Sequence, residues 1–270
     1  GVHESERFRY LVECNSAMAM FVVGGCLCND ALPSDEADEA AAPKAVGEPS
    51  EAALVVAASR LGVKKGEFEA VFPRLEEFAF DSDRKRMTTI HDVVHEQIRS
   101  LGTLAPVHES IVRRAGWARV ALTKGAADSI LTVASTVWVD DRIEPLNEEW
   151  QTRISQAQDR LADKGMRVLA VAVRPIDENS MPRSVDDAEQ ELIFVGLFGI
   201  IDPPRPEARE AVARCHSAGI RTVMITGDHP LTARHIADRL GIADDGRALA
   251  GSELSRLSQE ELERTAEDVK

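Results

Sequence analysis

The pattern of apolar and polar positions changes near residue 202, and this change predicts two domains. Before it, helical patterns and alternating strand patterns follow one another irregularly. That arrangement predicts an α+β domain with a mostly antiparallel sheet flanked by helices. After it, helix and strand patterns alternate, as in half of a doubly wound α/β unit. We therefore predict a first domain at residues 1–201 and a partial α/β domain at residues 202–270.

In the first domain, local signals set several of the predicted boundaries. Apolar residues on more than one side of residues 50–58 predict a buried helix with Ser50 as its N-cap. Gly165 is suited to end a long amphipathic helix. The predicted helices cover residues 8–30, 50–58, 64–71, a stretch from residue 126, and 147–164, and the predicted strands cover residues 77–80, 86–90, 117–123, 167–173 and 192–200.

The second domain has a candidate anion site at Thr226-Gly227-Asp228. Helices are predicted at 206–218 and 230–240, and strands at 221–226 and 248–250. The tripeptide therefore falls between a strand end and a helix N-terminus, where backbone N–H groups and the helix dipole favour an anion. Bound Mg²⁺ would explain an Asp beside a phosphate. The ordinary alternative is a turn in which Asp228 caps the helix.

Composition limits the classes of partner. The chain has 270 residues and a formal net charge of -14, and it shows no basic stripe that would serve a nucleic acid. ATP is compatible with this charge because a few placed cations set the local field. The four cysteines lack zinc-site spacing and are expected to be small buried thiols. The most apolar stretch, 17–28, is shorter than the roughly 20 residues of a membrane span, so we expect a soluble, cytosolic polypeptide.

Two further segments admit both a binding and a structural interpretation. Phe80 precedes a charged turn, where its ring could stack on a base while Lys85 attracts phosphates. The alternative is a core Phe beside a solvated hairpin turn. The glycine of Lys124-Gly125 could form an ordinary turn, or it could let a ligand approach the backbone closely. Neither a P-loop nor a dinucleotide fingerprint is present in the sequence.

Six segments in order resemble P-type ATPases, especially the calcium-pump-like type II branch. The resemblance covers nearly the whole chain, and Leu27-Cys28-Asn29-Asp30-Ala31 fits it as well. Each motif is modest, but their common order is specific. The six segments are residues 47–54, 80–87, Lys124-Gly125-Ala126, 166–172, Asp202-Pro203-Pro204-Arg205 and 224–228.

The resemblance implies a nucleotide-binding domain at 1–201 and part of a haloacid-dehalogenase-like phosphorylation domain at 202–270. It implies that adenine stacks on one aromatic residue, that a carboxylate lies near the base, and that lysines line the pocket. It also implies a loop that meets the γ-phosphate and Mg²⁺. The residues that match these roles are Phe80 for stacking, Glu51 for the carboxylate, Lys85, Lys124 and Gly125 for the pocket, Arg167 for the phosphates, and Asp202, Thr226, Gly227 and Asp228 for the loop.

The chain departs from the family pattern in several places. Ser82 stands where the family often has an Arg, and Ala127-Asp128 replaces Pro-Glu after Lys124-Gly125-Ala126. Neither the phosphate-accepting Asp-Lys-Thr-Gly-Thr nor Gly-Asp-Gly-x-Asn-Asp occurs in the sequence. We therefore expect this chain to contain no catalytic residue and no metal ligand set of its own, and to bind ATP or ADP without turnover.

The resemblance also implies the partners of the chain. They are the missing phosphorylation-domain segments, an actuator domain and transmembrane helices, so the chain would be a cytosolic domain of an integral membrane protein. The transported ion is not encoded in these residues. One alternative is a haloacid-dehalogenase-like phosphatase, although the Asp-x-Asp-x-Thr segment that it requires is absent. A second is a non-catalytic interaction module that uses the acidic loop at 35–39.

Overall fold

The computed structural model describes residues 15–34, 44–61, 64–94, 117–140, 142–201, 204–242 and 249–265. The chain divides into two compact units, which we name the sheet unit (1–154 and 169–198) and the C-terminal unit (155–168 and 199–270). The C-terminal unit thus includes a short stretch from the middle of the chain. The domain boundary between residues 201 and 202 remains a prediction.

Helices and strands alternate irregularly along the first part of the chain. Up to residue 201 they are α1 (Ser16–Leu27), β1 (Leu32–Pro33), β2 (Ala45–Val46), α2 (Pro49–Arg60), α3 (Lys65–Val71), β3 (Arg74–Asp81), β4 (Arg86–Asp92), β5 (Arg119–Gly125), α4 (Ala127–Leu131), β6 (Ala134–Val139), β7 (Arg142–Pro145), α5 (Glu148–Ala162), β8 (Met166–Ile176), α6 (Val185–Ala188) and β9 (Leu192–Ile201). They continue with α7 (Pro206–Ser217), α8 (Pro230–Leu240), α9 (Gly251–Leu254) and α10 (Gln259–Thr265).

The main sheet has the strand order β3-β4-β5-β8-β9-β6-β7. The pairs β3/β4, β4/β5, β5/β8 and β6/β7 are antiparallel, whereas β6 and β9 are parallel. This arrangement confirms the predicted α+β class with a mostly antiparallel sheet and flanking helices. The sequence patterns did not predict β6, β7 or the small β1/β2 hairpin, which also belong to the described chain.

Helix α1 supplies much of the core on one face of the sheet. It is apolar on all sides, and Met20, Val23 and Leu27 are buried. Asn15 caps the helix, because its side chain accepts a hydrogen bond from the backbone N–H of Met18. A helix that is apolar all round must be covered by other elements, and α1 belongs to one buried cluster with side chains of β4 and β5.

The predicted N-cap of α2 is wrong by two residues. The helix begins at Pro49, and Glu48 is the cap: its Oε2 accepts hydrogen bonds from the backbone N–H groups of Ser50 at 2.9 Å and Glu51 at 3.1 Å. Proline is well suited to the first helical position because its fixed φ matches the helix and its missing N–H has no partner to lose there. Glu48 therefore sets the start of the helix that carries Glu51.

The two cysteines of α1 and its C-cap agree with the expectation of buried thiols. Cys26 and Cys28 are buried and free, and burial raises the pKa of Cys26 to about 12. Burial also raises the pKa of Cys28. These thiols therefore stay protonated and act as small apolar groups. Cys215 is partly buried, and Cys14 lies outside the described residues.

In the C-terminal unit the predicted helices are confirmed and the predicted strands are wrong. Helix α8 begins at Pro230 as predicted and ends before Gly241, whose φ is 77°. Residues 221–226 form no strand, and Ile225 is 94% exposed. The described residues of this unit contain no strand paired with them, so β-branched composition alone does not produce a ladder. Residues 249 and 250 likewise form no strand, and residue 248 lies outside the described part.

None of the helices within the described ranges is both long and apolar enough to cross a membrane.

Candidate functional site

Lys124 and Glu51 form a largely buried ion pair in the sheet unit. The Lys124 Nζ lies 2.8 Å from Glu51 Oε1, and the two side chains are 6% and 16% exposed. The other carboxylate oxygen, Oε2, accepts a hydrogen bond from the backbone N–H of Asp30 at 3.1 Å. An ammonium has three donors, and the contact with Glu51 uses one of them.

Asn29 holds the first turn of α2 against the end of α1. Its Nδ2 donates to the carbonyl of Glu51 at 2.9 Å and to the carbonyl of Gly25 at 3.2 Å, while its Oδ1 accepts from Ala31 N at 2.8 Å. The residue is fully buried. A buried amide with all these partners fixes the backbone on which Glu51 stands.

Two cations that were not predicted from the sequence, Lys65 and Arg74, bind backbone carbonyls at the end of α1 and just after it. Lys65 Nζ donates to the carbonyls of Asn29 at 2.7 Å and Ala31 at 2.8 Å. Arg74 Nη2 donates to the carbonyls of Leu27 at 3.0 Å and Asn29 at 2.9 Å. Leu27 is the last residue of α1, so Arg74 binds the final carbonyl of the helix and complements its dipole, while Lys65 binds carbonyls of the segment that follows. In the sequence, Lys65 at the start of α3 and Arg74 at the start of β3 belong to no motif that predicts this role.

Phe80 lies near the end of β3 and Lys85 is the last residue of the β3–β4 turn, and both side chains are exposed. Phe80 is 62% exposed, so the alternative of a core Phe is wrong. The Lys85 side chain is 59% exposed, and its Nζ lies 3.9 Å from Asp128 Oδ2. The Lys85 backbone has a φ of 52°, and its N–H donates to the carbonyl of Asp81 at 2.7 Å. The turn therefore presents a ring and an ammonium to solvent.

Asp81 closes the turn from within. Its Oδ1 accepts hydrogen bonds from the backbone N–H groups of Arg84 at 2.9 Å and Asp83 at 3.0 Å. The first of these bonds, to the N–H of Arg84, is the main cause that lowers the pKa of Asp81. The carboxylate is therefore ionised at neutral pH and acts as a turn residue.

Gly125 is needed for contact with the turn, because a Cβ at this position would lie 2.5 Å from the Lys85 carbonyl oxygen and 2.7 Å from Arg86 Cα. The next residue, Ala126, donates its N–H to the same Lys85 carbonyl at 3.0 Å. The structure thus brings the backbones of two predicted site residues, Lys85 and Gly125, together. The close approach at Gly125 is made by the chain itself.

A charged network around Glu189 was not predicted. The Glu189 side chain is 1% exposed and binds Arg84 and Arg86, at 2.5 Å and 2.7 Å. Thr88 Oγ1 donates to the same carboxylate at 2.9 Å and lies 2.9 Å from Thr123 Oγ1. In the sequence, Glu189 is one of several acidic residues near 186–191 and resembles part of a solvated face.

In the C-terminal unit, Arg167 contacts the predicted phosphate loop. Its Nη2 and Nε lie 3.0 Å and 3.2 Å from Asp228 Oδ1. Thr226 Oγ1 donates to Asp228 Oδ2 at 2.9 Å and accepts from the Asp228 N–H at 3.1 Å. A Cβ on Gly227 would meet no atom within 4 Å. Asp202 lies outside the described residues.

The predicted site residues therefore fall into two sets. Glu51, Phe80, Lys85, Lys124 and Gly125 belong to the sheet unit, and Arg167, Thr226, Gly227 and Asp228 belong to the C-terminal unit. Among the residues that the structure describes, no three His, Cys, Asp or Glu side chains converge as a metal site would require. The acidic loop at 35–39 lies outside those residues.

Comparison with known proteins identifies relatives over nearly the whole chain. The family described as "P-type ATPase, cytoplasmic domain N" matches residues 18–207. The Calcium-transporting ATPase of Bacillus subtilis is 40% identical over 224 residues, which are 83% of this chain and 23% of that protein. Calcium-transporting ATPase 1 of Bacillus cereus is 35% identical over 249 residues, which are 92% of this chain and 24% of that protein.

A third relative gives the same picture. The Cation-transporting ATPase pma1 of Synechocystis is 36% identical over 246 residues, which are 90% of this chain and 24% of that protein. The chain thus spans less than a quarter of the length of these curated relatives. The matches favour the resemblance to P-type ATPases over the phosphatase and interaction-module alternatives, and the chain therefore belongs to the P-type ATPase family, in the part described as cytoplasmic domain N.

Proposed function

We propose that this chain binds ATP or ADP as the nucleotide-binding part of a P-type cation-transporting ATPase. The observation that carries the proposal is a register: Asp81 pairs with Arg86, and Arg86 pairs with Gly125. Phe80 and Lys124 each stand one residue before a member of this row. Phe80, Lys85 and Lys124 therefore lie at one end of three adjacent strands.

These side chains suit a nucleotide. An exposed aromatic ring offers a face for a base, and such stacking contributes about 1–3 kcal/mol per base. The ammonium groups of Lys85 and Lys124 supply positive charge for phosphates, against the negative charge of the whole chain. Glu51 places a carboxylate beside Lys124, where it can accept a hydrogen bond from an amino group of the base.

The loop of the C-terminal unit is proposed to meet the γ-phosphate and Mg²⁺. Asp228 supplies the carboxylate oxygens that Mg²⁺ prefers, and it stands just before α8. Arg167 holds that carboxylate and is itself a phosphate-binding residue type. Mg²⁺, when bound, would neutralise phosphate charge. Asp202 is proposed to belong to the same loop.

The parent protein is proposed to couple ATP hydrolysis to the transport of a cation across a membrane. In this mechanism an aspartate attacks the γ-phosphorus of ATP, and ADP leaves. The Asp-Lys-Thr-Gly-Thr string that would carry this aspartate is absent from the sequence. The residues present bind and orient the nucleotide, and the remaining parts of the pump are its proposed partners.

Titration with ATP and with ADP, followed by calorimetry and NMR, tests the proposal. Phe80→Ala and Lys124→Ala should each weaken binding by about tenfold, because one removes a stacking face and the other a charge-assisted contact. Leu75→Ala is the matched control, since Leu75 is an exposed apolar residue at the other end of β3. No response at millimolar ATP would contradict binding, and unchanged affinity in both variants would place the site elsewhere.

A further inference from the structure

The Glu189 carboxylate joins the β3–β4 turn to the segment after α6. Oε1 accepts from Arg84 Nη1 at 2.5 Å and from Thr88 Oγ1 at 2.9 Å, and Oε2 accepts from Arg86 Nε at 2.7 Å. The side chain is 1% exposed, so these donors replace the water that an ionised carboxylate would otherwise bind. Arg84 also lies 3.9 Å from Asp81 Oδ1, so the two arginines connect Glu189 with the turn.

The same two arginines fix the backbone of the turn. Arg84 Nη2 donates to the carbonyl of Ala79 at 2.9 Å, next to Phe80. Arg86 Nη1 donates to Ser129 Oγ at 2.7 Å, and Ser129 Oγ in turn donates to the carbonyl of Arg84 at 2.5 Å. Glu189 therefore holds two side chains that bind the backbone before the turn, at Ala79, and within it, at Arg84.

Phe80 and Lys85 depend on this backbone for their positions. Their side chains are 62% and 59% exposed, so core packing does not hold them. The 3.9 Å contact between Lys85 and the exposed Asp128 constrains the ammonium only weakly. The direction in which the ring and the ammonium leave the sheet is thus set by the turn.

Glu189 acts from the sheet face opposite the Lys124 pair. Along β4 successive side chains alternate between faces, so Arg86 and Thr88, which bind Glu189, point away from the side of Met87. Met87 lies in the core cluster with α1. Its paired residue on β5 is Lys124, which therefore points to the same face and binds Glu51 of α2. Glu189 therefore supports the nucleotide residues without joining them.

We propose that Glu189 is a positioning residue for nucleotide binding, which holds the turn so that Phe80 and Lys85 meet the ligand in a fixed arrangement. This inference rests on the proposed function. Glu189 acts as a buried carboxylate that binds Arg84 and Arg86. Through these arginines it holds the backbone that carries the stacking ring and the phosphate-binding ammonium.

The test compares Glu189→Gln with Glu191→Gln. Both remove one carboxylate charge from the same segment, but Glu191 is exposed. ADP affinity is measured by calorimetry at a temperature where circular dichroism shows every variant to be folded. Glu189→Gln should weaken ADP binding about tenfold, Glu189→Asp should lose less because it keeps the charge, and Glu191→Gln should bind as the unmodified chain does.

Adding Glu189→Gln to a double variant separates positioning from general destabilisation. In a Phe80→Ala, Lys85→Ala background, Glu189→Gln should have little further effect on ADP affinity, because the groups that it positions are gone. Amide exchange of Arg84 and Lys85 should accelerate in Glu189→Gln without nucleotide. If Glu189→Gln does not fold, Arg84→Gln, at a partly exposed position, makes the same test.

The outcomes distinguish the two proposals. If the unmodified chain binds no ADP, the proposed function fails and the positioning role fails with it. Two results would overturn only the positioning role, in a chain that binds ADP. In the first, Glu189→Gln binds ADP as well as the unmodified chain. In the second, Glu189→Gln lowers ADP affinity by the same factor in the unmodified chain and in the Phe80→Ala, Lys85→Ala background. Loss of affinity that disappears in that background supports it.

Discussion

The ammonium of Lys124 lies 2.8 Å from the carboxylate of Glu51, and little of either side chain reaches solvent. Lys124 comes from the end of β5 and Glu51 from the first turn of α2, 73 residues earlier in the chain. The pair therefore joins a helix to the sheet at the strand ends where nucleotide binding is proposed. It has a structural role that can be measured apart from any ligand.

Breaking this pair from one side should destabilise the sheet unit. Lys124→Met leaves a largely buried carboxylate without its cation, and Glu51→Gln leaves the ammonium without its anion. Each change is expected to lower the free energy of unfolding by about 2 kcal/mol. The double variant should lose less than the sum, because neither charge is then left alone. Urea denaturation of the four proteins measures the coupling, and simple additivity would contradict the pair's contribution.

Gly125→Ala should destabilise the junction between β5 and the β3–β4 turn. The added methyl would lie 2.5 Å from the Lys85 carbonyl oxygen and 2.7 Å from Arg86 Cα, and backbone atoms cannot move aside as a flexible side chain can. We expect a loss of about 2 kcal/mol in the free energy of unfolding, together with weaker nucleotide binding.

Gly66→Ala is the matched control for that change. Gly66 lies in α3, and a Cβ there would meet no atom within 4 Å. Because alanine favours helix over glycine, this variant should be more stable by up to about 1 kcal/mol. Equal effects of the two substitutions in urea denaturation would contradict the close approach at Gly125.

His91 should make the stability of the sheet unit depend on pH. Burial lowers the pKa of His91 to about 4, against an ordinary value of 6.5. Between these values the unfolded chain binds more protons than the folded chain. The contribution of neutral His91 to the free energy of unfolding is therefore complete above pH 6.5 and is lost as the pH falls towards 4. The loss from this group between neutral pH and pH 5 is expected to be about 2 kcal/mol.

Urea denaturation across this pH range measures the effect, with near-ultraviolet circular dichroism of the Trp117–Trp138 pair as a probe. His91→Asn removes the ionisable ring, so its stability should fall less with acid, whatever its stability at neutral pH. His216→Gln, at an exposed position, should keep the slope of the unmodified chain. An unchanged slope in His91→Asn would show that other groups cause the dependence.

Residues close together in sequence were sufficient to predict helix α8 and the β3–β4 turn. Pro230 and Gly241 mark the two ends of α8, one through its fixed φ and the other through a left-handed φ of 77°. The charged residues between β3 and β4 similarly indicated a hairpin turn. These features depend on residues close in sequence, so the pattern alone was sufficient.

Pairing between distant segments could not be predicted in the same way. Strand β6 is parallel to β9, with Val137 opposite Phe194, and only the folded chain brings them together. Residues 221–226 show the converse, because a β-branched segment forms no strand where the described part of its unit offers no partner. Strand propensity expresses a fit to neighbours more than a property of the segment itself.

The candidate site was predictable as far as the resemblance extends. Glu51, Lys124 and Gly125 were matched to the family by motif, and the structure adds the contacts that hold them. Glu189 had no such signal, since it lies 103 residues from Arg86 and is surrounded by other acidic residues in sequence. Its burial arises from the fold, which places two arginines around one carboxylate.

Asp228→Asn should test the ion pair between Arg167 and Asp228, which lies in the C-terminal unit. Arg167 Nη2 is 3.0 Å from Asp228 Oδ1, but the two side chains are 40% and 20% exposed, so solvent screens the attraction. We expect a loss of about 0.5–1 kcal/mol in the free energy of unfolding of this unit at low salt, and a smaller loss in about 0.5 M NaCl. Asp238→Asn, an exposed carboxylate on α8, is the control and should change stability little in either condition. A loss for Asp228→Asn that does not respond to salt would assign the effect to its hydrogen bond with Thr226, because that bond is less sensitive to ionic screening.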